Sequence, residues 1–548
     1  MMAEWEACEI LEHANRIEGI RLPWLAQWQV LADWICPSIG SVTNPGSGAG
    51  QKRNQKIFDS TASRALERSA AALLSFVCPA SRKWHTLASA DPNVKDDPGN
   101  MAYWEALRDQ LFRVRYAPAS GFASQSYEFL RNLILFGTSA MAIMDDPGRG
   151  IKYRTLPVSE ISIDTDHMGS VCSVLRKFQL TPSQSIQQFG DRCPKRVRDM
   201  AEKHSADKIS WYHLVLPAGD KERAAGFRYA SRYLCLDGRE VLDPTPQDLG
   251  YFTLPYIVTR YQCSPGEVYG RSPAWAALPD IGTLNEQEKT ILRAGVQAVA
   301  PAWLTSEDSA LSSFQVRPHA LIPGGLSADG TRMIQPLQTS ANIPLGIELS
   351  NQRRESINET FLVNLFLVFA QDAGGNMTAT EATLRTQERG AIMAPVGARL
   401  TEEWLSPTIT REIDILARAQ ALPTPPDGVA PSYEVQYESD MARSQRAGDA
   451  IALNSTLQGV AALAQLDPSA ARTIAARINP DEALKVVASA EGLPAKVMRS
   501  DEEFNAIMQQ HAQADQQQQM LQAAPVAGEY ARNLAQAQAA ASPGGGQY

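Results

Sequence analysis

No cysteine in the sequence stands in a C-x-x-C pair. The seven present, Cys8, Cys36, Cys78, Cys172, Cys193, Cys235 and Cys263, are odd in number and scattered. Neither a disulfide framework nor a zinc site is indicated, and the chain reads as one made in a reducing cytoplasm. No G-x-x-x-x-G-K-[ST] loop occurs, which removes the recognisable means of cradling a triphosphate. Gly46-Ser47-Gly48-Ala49-Gly50 is rich in glycine but follows no plausible strand, and reads as a loop. H-E-x-x-H and G-x-S-x-G are absent too, and the seven histidines lie far apart. Asp164-Thr165-Asp166-His167 has the composition of a metal cluster, but between Ile161/Ile163 and Gly169 it reads as a β-turn. No apolar run reaches the ~18–20 residues of a bilayer span; the longest, Phe361 to Ala370, is interrupted by Asn364. Met1 to Ile10 carries Glu4, Glu6 and Glu9 and no basic segment, unlike a signal peptide.

Positive charge is also short. Lys and Arg number 51 against 60 Asp and Glu, a net charge of −9. Strong DNA affinity comes from basic residues displacing counterions from phosphates, so tight gripping through the overall field is excluded. Two readings survive: no contact with DNA, or DNA that passes without sticking.

What is present is enough apolar material for a folded chain, 44% hydrophobic residues, spread over 548 positions. A single core stops growing near ~250–300 residues, so three or four subdomains are expected. Residues 1 to 35 show an amphipathic helical pattern (Trp5, Ile10, Ile17, Trp24, Trp28, Trp34) that Pro23 should break. Asp59 is placed to cap a helix through Leu66, Leu73 and Val77 that stops at Pro79. Another helix runs from Phe122 to Gly137. Strand-like runs follow: Met141 to Met144, Ile161 to Ile163, Val171 to Leu180, Trp211 to Leu216, Tyr229 to Cys235 and Tyr256 to Arg260. This first half reads as an α+β domain.

At Arg271 the character changes. Ser272 is placed as an N-cap and Pro273 at the first helical position, opening a helix to Ala300 that is roughly 40 Å long at 1.5 Å per residue. Ala302 to Leu345 is β- and turn-like. A second helix is expected from about Glu348 to Phe369, its last part apolar on every face and so buried on every side. Gly374 and Gly375 interrupt it. Thr378 and Glu381 form a capping box for a third long helix, kinked at Pro395, perturbed again at Pro407 and ending near Ala421. A proline-rich connector, Leu422 to Pro431, leads to short helices from Met441 to about Gln510. The remainder, His511 to Tyr548, is Gln/Ala-rich and reads as disordered or a lone helix.

Long helix, β-rich insert, long helix, Gly-containing loop, long kinked helix: this order resembles the stem, clip, stem and tunnel-loop region of phage portal (head-to-tail connector) proteins of the short-tailed kind. The resemblance is carried by Phe58-Asp59-Ser60-Thr61-Ala62 through Cys78-Pro79 and Trp84, by Phe136-Gly137-Thr138, and by Arg176-Lys177-Phe178-Gln179-Leu180-Thr181. It continues at Tyr269-Gly270-Arg271-Ser272-Pro273, at Met377-Thr378-Ala379-Thr380-Glu381 with Arg385, Glu388, Pro395, Arg399-Leu400 and Glu403, and at Tyr437-Glu438-Ser439 to Arg446. It spans about residues 10 to 505. It implies an α+β portal fold and a ring, usually of twelve subunits, at one capsid vertex of the virion, assembled in the host cytoplasm. Residues 1–270 would be wing, 271–301 and 346–370 stem, 302–345 clip, 371–378 tunnel loop, 379–421 the kinked wing helix and 432–510 a helical crown.

The implied role is a conduit for DNA packaging and ejection, without catalysis, metal or cofactor. Implied partners are further copies of the chain, double-stranded DNA in the channel, the terminase large subunit, major capsid and scaffolding proteins, and a tail adaptor; no membrane is involved. Competing readings are a nucleic-acid-processing enzyme of the packaging machinery and a tail or internal virion protein without a channel. The expected tunnel loop is Gln371, Asp372, Ala373, Gly374, Gly375, Asn376 and Met377, with no basic residue and so steric and polar contact with DNA. Lys289, Arg293, Arg353 and Arg354 either face the channel or pair with Glu286, Glu288, Glu355 or Glu359. Phe361, Leu362, Leu365, Phe366 and Phe369 are expected to pack between subunits. Pro323, Gly324, Gly325, Asp329 and Gly330 are expected to serve docking at the clip.

Overall fold

The computed structural model describes residues 7–43, 54–92, 98–146, 150–245, 249–305, 329–337, 342–363, 394–425 and 432–437, with a few isolated positions besides. Along the chain come α1 (Ala7–Ile35), α2 (Thr61–Val77), β1 (His85–Ser89), α3 (Pro98–Arg115), α4 (Phe122–Phe136), β2 (Thr138–Asp146), β3 (Gly150–Leu156), β4 (Ile161–Thr165) and β5 (Val171–Leu180). Next are α5 (Pro182–Phe189), α6 (Lys195–Glu202), β6 (Ile209–Pro217), α7 (Asp220–Ala224), β7 (Tyr229–Cys235), β8 (Glu240–Val241), β9 (Gly250–Tyr251) and β10 (Tyr256–Arg260). Then follow α8 (Pro273–Val299), β11 (Trp303–Thr305), β12 (Ile334–Pro336), α9 (Ile343–Thr360), α10 (Ser406–Arg418) and β13 (Tyr433–Tyr437). Helix and sheet are mixed, as the α+β reading expects.

The chain divides into two units, Met1–Trp84 with Leu111–Leu422 and His85–Gln110 with Pro423–Tyr548. In the second, β1 and β13 pair antiparallel, His85 opposite Tyr437 and Ser89 opposite Tyr433, and the Trp104 ring lies 6.0 Å from Tyr433. Residues 433–437 are therefore strand, at the start of the stretch 432–510 that the family resemblance assigns to a helical crown and before the helices expected from Met441. Alternating Tyr433, Val435 and Tyr437 is a period-two signal, but its partner lies at the other end of the chain. The expected helices between 441 and 510 lie outside the described residues apart from isolated positions, as does the whole of 511–548.

Among its described residues the larger unit holds three antiparallel sheets, β4-β5-β6-β7-β8 with β9 beside β7, β10-β2-β3, and the two-stranded β11-β12. Period-two alternation along β6 sends its side chains to two different cores. Tyr212, Leu214 and Leu216 join Leu175 and Leu234 under Ile10, Ala14 and Ile17 of α1. Trp211 turns the other way, into the core formed with Phe178, Phe189 and Val197. Between them His213 is fully buried, its ring 3.9 Å from and parallel to Tyr233, with Tyr256 Oη at 2.6 Å and Ser231 Oγ at 3.0 Å.

Helix α1 runs through Pro23 without a break, against the expectation of an interruption there. Tertiary contacts hold both flanks of the lost backbone bond: Arg21 donates to the Ser159 and Ile161 carbonyls, and Trp28 Nε1 donates to the Phe136 carbonyl at 3.1 Å. Asp164 and Thr165 belong to strand β4, and the turn sits one step later. Asp166 Oδ1 accepts from Met168 and Ser170 N–H, with Gly169 at φ +86°.

Residues 394–400 are helical and lead into a wider π-type turn, Thr401–Leu405, and then α10. Pro407 is the local cause: it has no N–H for the Glu403 carbonyl, and one extra residue in the turn relieves the clash of its ring. Two ion pairs, one partly and one fully buried, tie this stretch down. Arg260 and Glu403 meet at 2.6 Å, and Glu403 also accepts the Arg260 backbone N–H at 2.8 Å. Arg115 and Glu412 are joined by two bonds, at 2.9 and 2.6 Å, and the Tyr153 hydroxyl donates to Glu412 at 2.5 Å. Burial alone would lower the Arg115 pKa, and the Glu412 charge reverses this and holds it above the usual value.

Replacing Glu412 by Gln keeps the shape and strands a buried guanidinium. We expect a loss of about 3–5 kcal/mol in chemical denaturation. His213 supplies a pH test. Burial, with Arg176 adding to it, depresses its pKa from 6.5 to about 3. It folds neutral, whereas the unfolded chain takes up a proton below about pH 6.5. Stability therefore falls as pH drops from 6.5 towards 3, by at most about 1.4 kcal/mol per unit from this group. The slope in that window should be shallower in His213→Gln.

Candidate functional site: the α8–α9 hairpin

The hairpin begins at a contact between two glycines. Gly137, at φ +80°, closes α4, and Gly270 precedes α8. A Cβ on either would run into the other's carbonyl oxygen. Around them Gly270 N–H donates to Thr138 Oγ1 at 2.9 Å and Tyr261 N–H to the Gly137 carbonyl at 2.8 Å. Two of the motifs that carry the family resemblance, Phe136-Gly137-Thr138 and Tyr269 to Pro273, thus meet in space. Ser272 Oγ accepts the Trp275 N–H at 3.0 Å, and Pro273 opens the helix.

The first half of α8 is packed on α1 and α4: Ala274, Ala277, Ile281 and Leu284 are buried, and buried Asn285 bridges Phe58 N–H and the Lys56 carbonyl at 2.7 and 2.9 Å. Helix α9 returns antiparallel. Asn342 caps it through Leu345 N–H at 3.2 Å, so it starts before the expected Glu348. It ends at Thr360 instead of running unbroken to Phe369: Leu362 takes φ +57°, and Ser69 Oγ donates to the Phe361 carbonyl at 2.6 Å. Gly346 lets α9 approach closely, since a Cβ there would lie 3.1 Å from Ile291 Cγ1.

Ion pairs join the helices along both sides. Arg353 meets Asp280 at 2.9 Å; Arg354 meets Glu288 at 2.7 Å and Asp59 at 2.9 Å. Burial would raise the Asp59 carboxyl, but hydrogen bonds from Thr61 and the Arg354 guanidinium outweigh it and hold the group below its usual range. Lys289 pairs with Glu286 at 3.0 Å. Arg293 is exposed and forms no ion pair among the described residues; the same is true of Glu348, Glu355 and Glu359, which share the edge of α9 turned away from α8.

Past Asn285 the apolar stripe of α8 continues uncovered: Leu292 is 54%, Val296 67% and Val299 88% exposed. At about 100° per residue these three point roughly the same way as Ala274 and Ile281, which are buried. The opposite face of α8 forms, with Gly346 and Leu349 of α9, a groove of about 630 Å³ lined by Gly282, Thr283, Gln287 and Thr290. Exposed Leu345 and Leu349 stand on the groove side and exposed Ile347 on the ridge side. The hairpin is thus a rod with uncovered apolar surface on two opposite faces, which a soluble protein rarely leaves bare.

Of the expected packing residues, Phe361 is buried within the subunit and Leu362 is half-buried, whereas Leu365, Phe366 and Phe369 lie outside the described residues. All of Gln371 to Met377 lies outside them, as do Pro323, Gly324 and Gly325. Asp329 and Gly330 form a turn, Gly330 at φ +78°, between the bridged Leu326 and Arg332. β11 and β12 pair antiparallel in the same β-like stretch. The uncovered ridge was not anticipated; its signal was the continuation of helical apolar spacing past Ile291. Among the described residues no group of three or more His, Cys, Asp or Glu is placed to hold a metal ion, and no helix is long and apolar enough to cross a membrane.

The model of the family described as bacteriophage head to tail connecting protein matches residues 7–498. The chain is similar to the probable portal protein of Bordetella phage BPP-1, with 25% identity over 537 residues, 96% of this chain and 94% of that protein. It is equally similar, 25% over 551 aligned positions, to the portal protein of Salmonella phage epsilon15, covering 98% and 97%. The portal protein of Enterobacteria phage T3 matches at 23% over 479 residues, 83% of this chain and 82% of that one.

Gly137→Ala places a side chain in a left-handed conformation and against a backbone oxygen at the root of the hairpin. We expect destabilisation on the order of 2 kcal/mol, read as a lower denaturation midpoint.

Proposed function

The chain belongs to the bacteriophage head-to-tail connecting protein family, and from that premise we propose that copies of it form a ring at one capsid vertex through which DNA is packaged and ejected. The observation that carries the ring is the α8–α9 hairpin, whose uncovered apolar residues lie on opposite faces. One such face would favour a two-fold dimer. Two different faces on one rod favour head-to-tail association, which closes into a ring when the rotation allows.

On this reading the hairpin is the stem, the β11–β12 stretch with Pro323, Gly324, Gly325, Asp329 and Gly330 is the clip that docks the terminase large subunit and then the tail adaptor, and Gln371 to Met377 is the loop that narrows the channel. The capsid and scaffolding proteins meet the wing. Twelve copies is the number we propose. The acidic balance, −9 per chain, suits a passage through which a duplex slides without being gripped. Of the four stem basic residues, we retain Arg293 for phosphate contact, because Lys289, Arg353 and Arg354 are engaged by carboxylates. Leu365, Phe366 and Phe369 remain proposed inter-subunit packing residues.

Negative-stain images and light scattering of the purified full chain test the ring. Particles with a central hole are expected, and a compact single-copy particle overturns the proposal. Removing Gly374 to Asn376 should leave the rings intact and reduce the DNA retained in assembled heads.

A further inference from the structure

We infer that the ridge Leu292, Val296 and Val299 of one copy seats in the groove between α8 and α9 of the next. The ring reading is the premise, and this adds which surface meets which. The occupant of the groove is a second copy of this chain for three reasons. Its walls are open at Gly282, which has free space where a Cβ would be, with Thr283 and Thr290 on the same face beside Gln287 and Glu286, the latter paired with Lys289. Its floor, at Ile291, Gly346 and Leu349, is apolar and matches aliphatic side chains. The matching side chains stand on the reverse of the same rod, half or more exposed. Charge agrees with the fit, because Arg353 and Arg354 on the two faces are already neutralised inside the subunit by Asp280, Glu288 and Asp59, so no unpaired charge is carried into the contact.

The geometry adds a constraint. The ridge is centred near Val296 and the groove near Gln287, so the two are offset by about nine residues, roughly 13 Å along the helix. Copies related by rotation alone share the same heights, and upright rods would set the ridge against the groove-bearing face of the next copy about nine residues past the groove. With packed helices about 10 Å apart, seating the ridge requires each hairpin to lean by roughly 50° from the ring axis. The free edges, Arg293 on α8 and Glu348, Glu355 and Glu359 on α9, then become the two radial sides of the stem.

Engineered cysteines test the pairing in the full chain, with exposed Cys8 replaced by Ser. Val296→Cys with Gln287→Cys is one pair, and Val299→Cys with Thr290→Cys the other. Both are assembled under reduction, checked for rings by negative stain, and then oxidised. We expect a ladder of covalently linked copies on non-reducing denaturing gels for the pairs, and single-copy bands for each cysteine alone. Rings that leave both pairs unlinked overturn this inference while the ring stands. Absence of rings in the unmodified chain overturns the ring reading itself. Should one pair fail to assemble, the other decides.

Discussion

The apolar face of α8 outruns its cover. That face is buried at Ala274, Ala277 and Ile281, and the same stripe goes on through Leu292, Val296 and Val299 with nothing over it among the described residues. Hydrophobic surface of this kind is removed from water in the subunit or between subunits. Much else follows from the choice. α9 packs on one side of α8 through Gly346 and Ile291, and ion pairs join the two helices. The rod leaves apolar residues bare on two opposite faces, while the charges of Arg353 and Arg354 beside them are satisfied within the chain.

Rigidity at the root makes that arrangement usable. Gly137 and Gly270 put two backbones in direct contact, where any side chain would hold them apart. The Arg260–Glu403 pair and the Tyr153–Glu412 hydrogen bond then lock the last long helix to the same sheet that starts beside Gly137, and the Arg115–Glu412 pair ties it to the end of α3. Buried pairs of this sort contribute little net stability over apolar residues, but they penalise every arrangement that separates them. They therefore specify where the helix lies more than how strongly it is held. The extra residue at Thr401–Leu405 is the price that Pro407 sets for keeping that helix continuous.

Family membership agrees with the order of elements read along the chain, and the motifs behind the resemblance have structural jobs. Phe136-Gly137-Thr138 and Tyr269 to Pro273 form the root of the α8–α9 hairpin. The N-cap of α2 is Ser60; Asp59, one residue before it, accepts the Thr61 N–H at 2.7 Å and also anchors Arg354, so it ties the start of α2 to α9. Glu403 belongs to the buried pair with Arg260. Residues that looked like local punctuation prove to be long-range contacts.

The local pieces were legible from the residues themselves. Ser272 and Pro273 start α8, Gly137 ends α4, and Val171 to Leu180 and Tyr229 to Cys235 are strands over the spans their alternation suggests, because caps and periodicity depend on neighbours a few residues away. Three other properties were decided only by the tertiary structure. Pro23 did not break α1 because Arg21 and Trp28 are held by distant carbonyls. Arg353 and Arg354, adjacent in sequence, went to opposite sides of the hairpin and to different carboxylates. The stripe on α8 became core in one half and bare in the other. A side chain's chemistry is written in the sequence, but its burial and its counter-charge depend on which distant segment arrives to cover it.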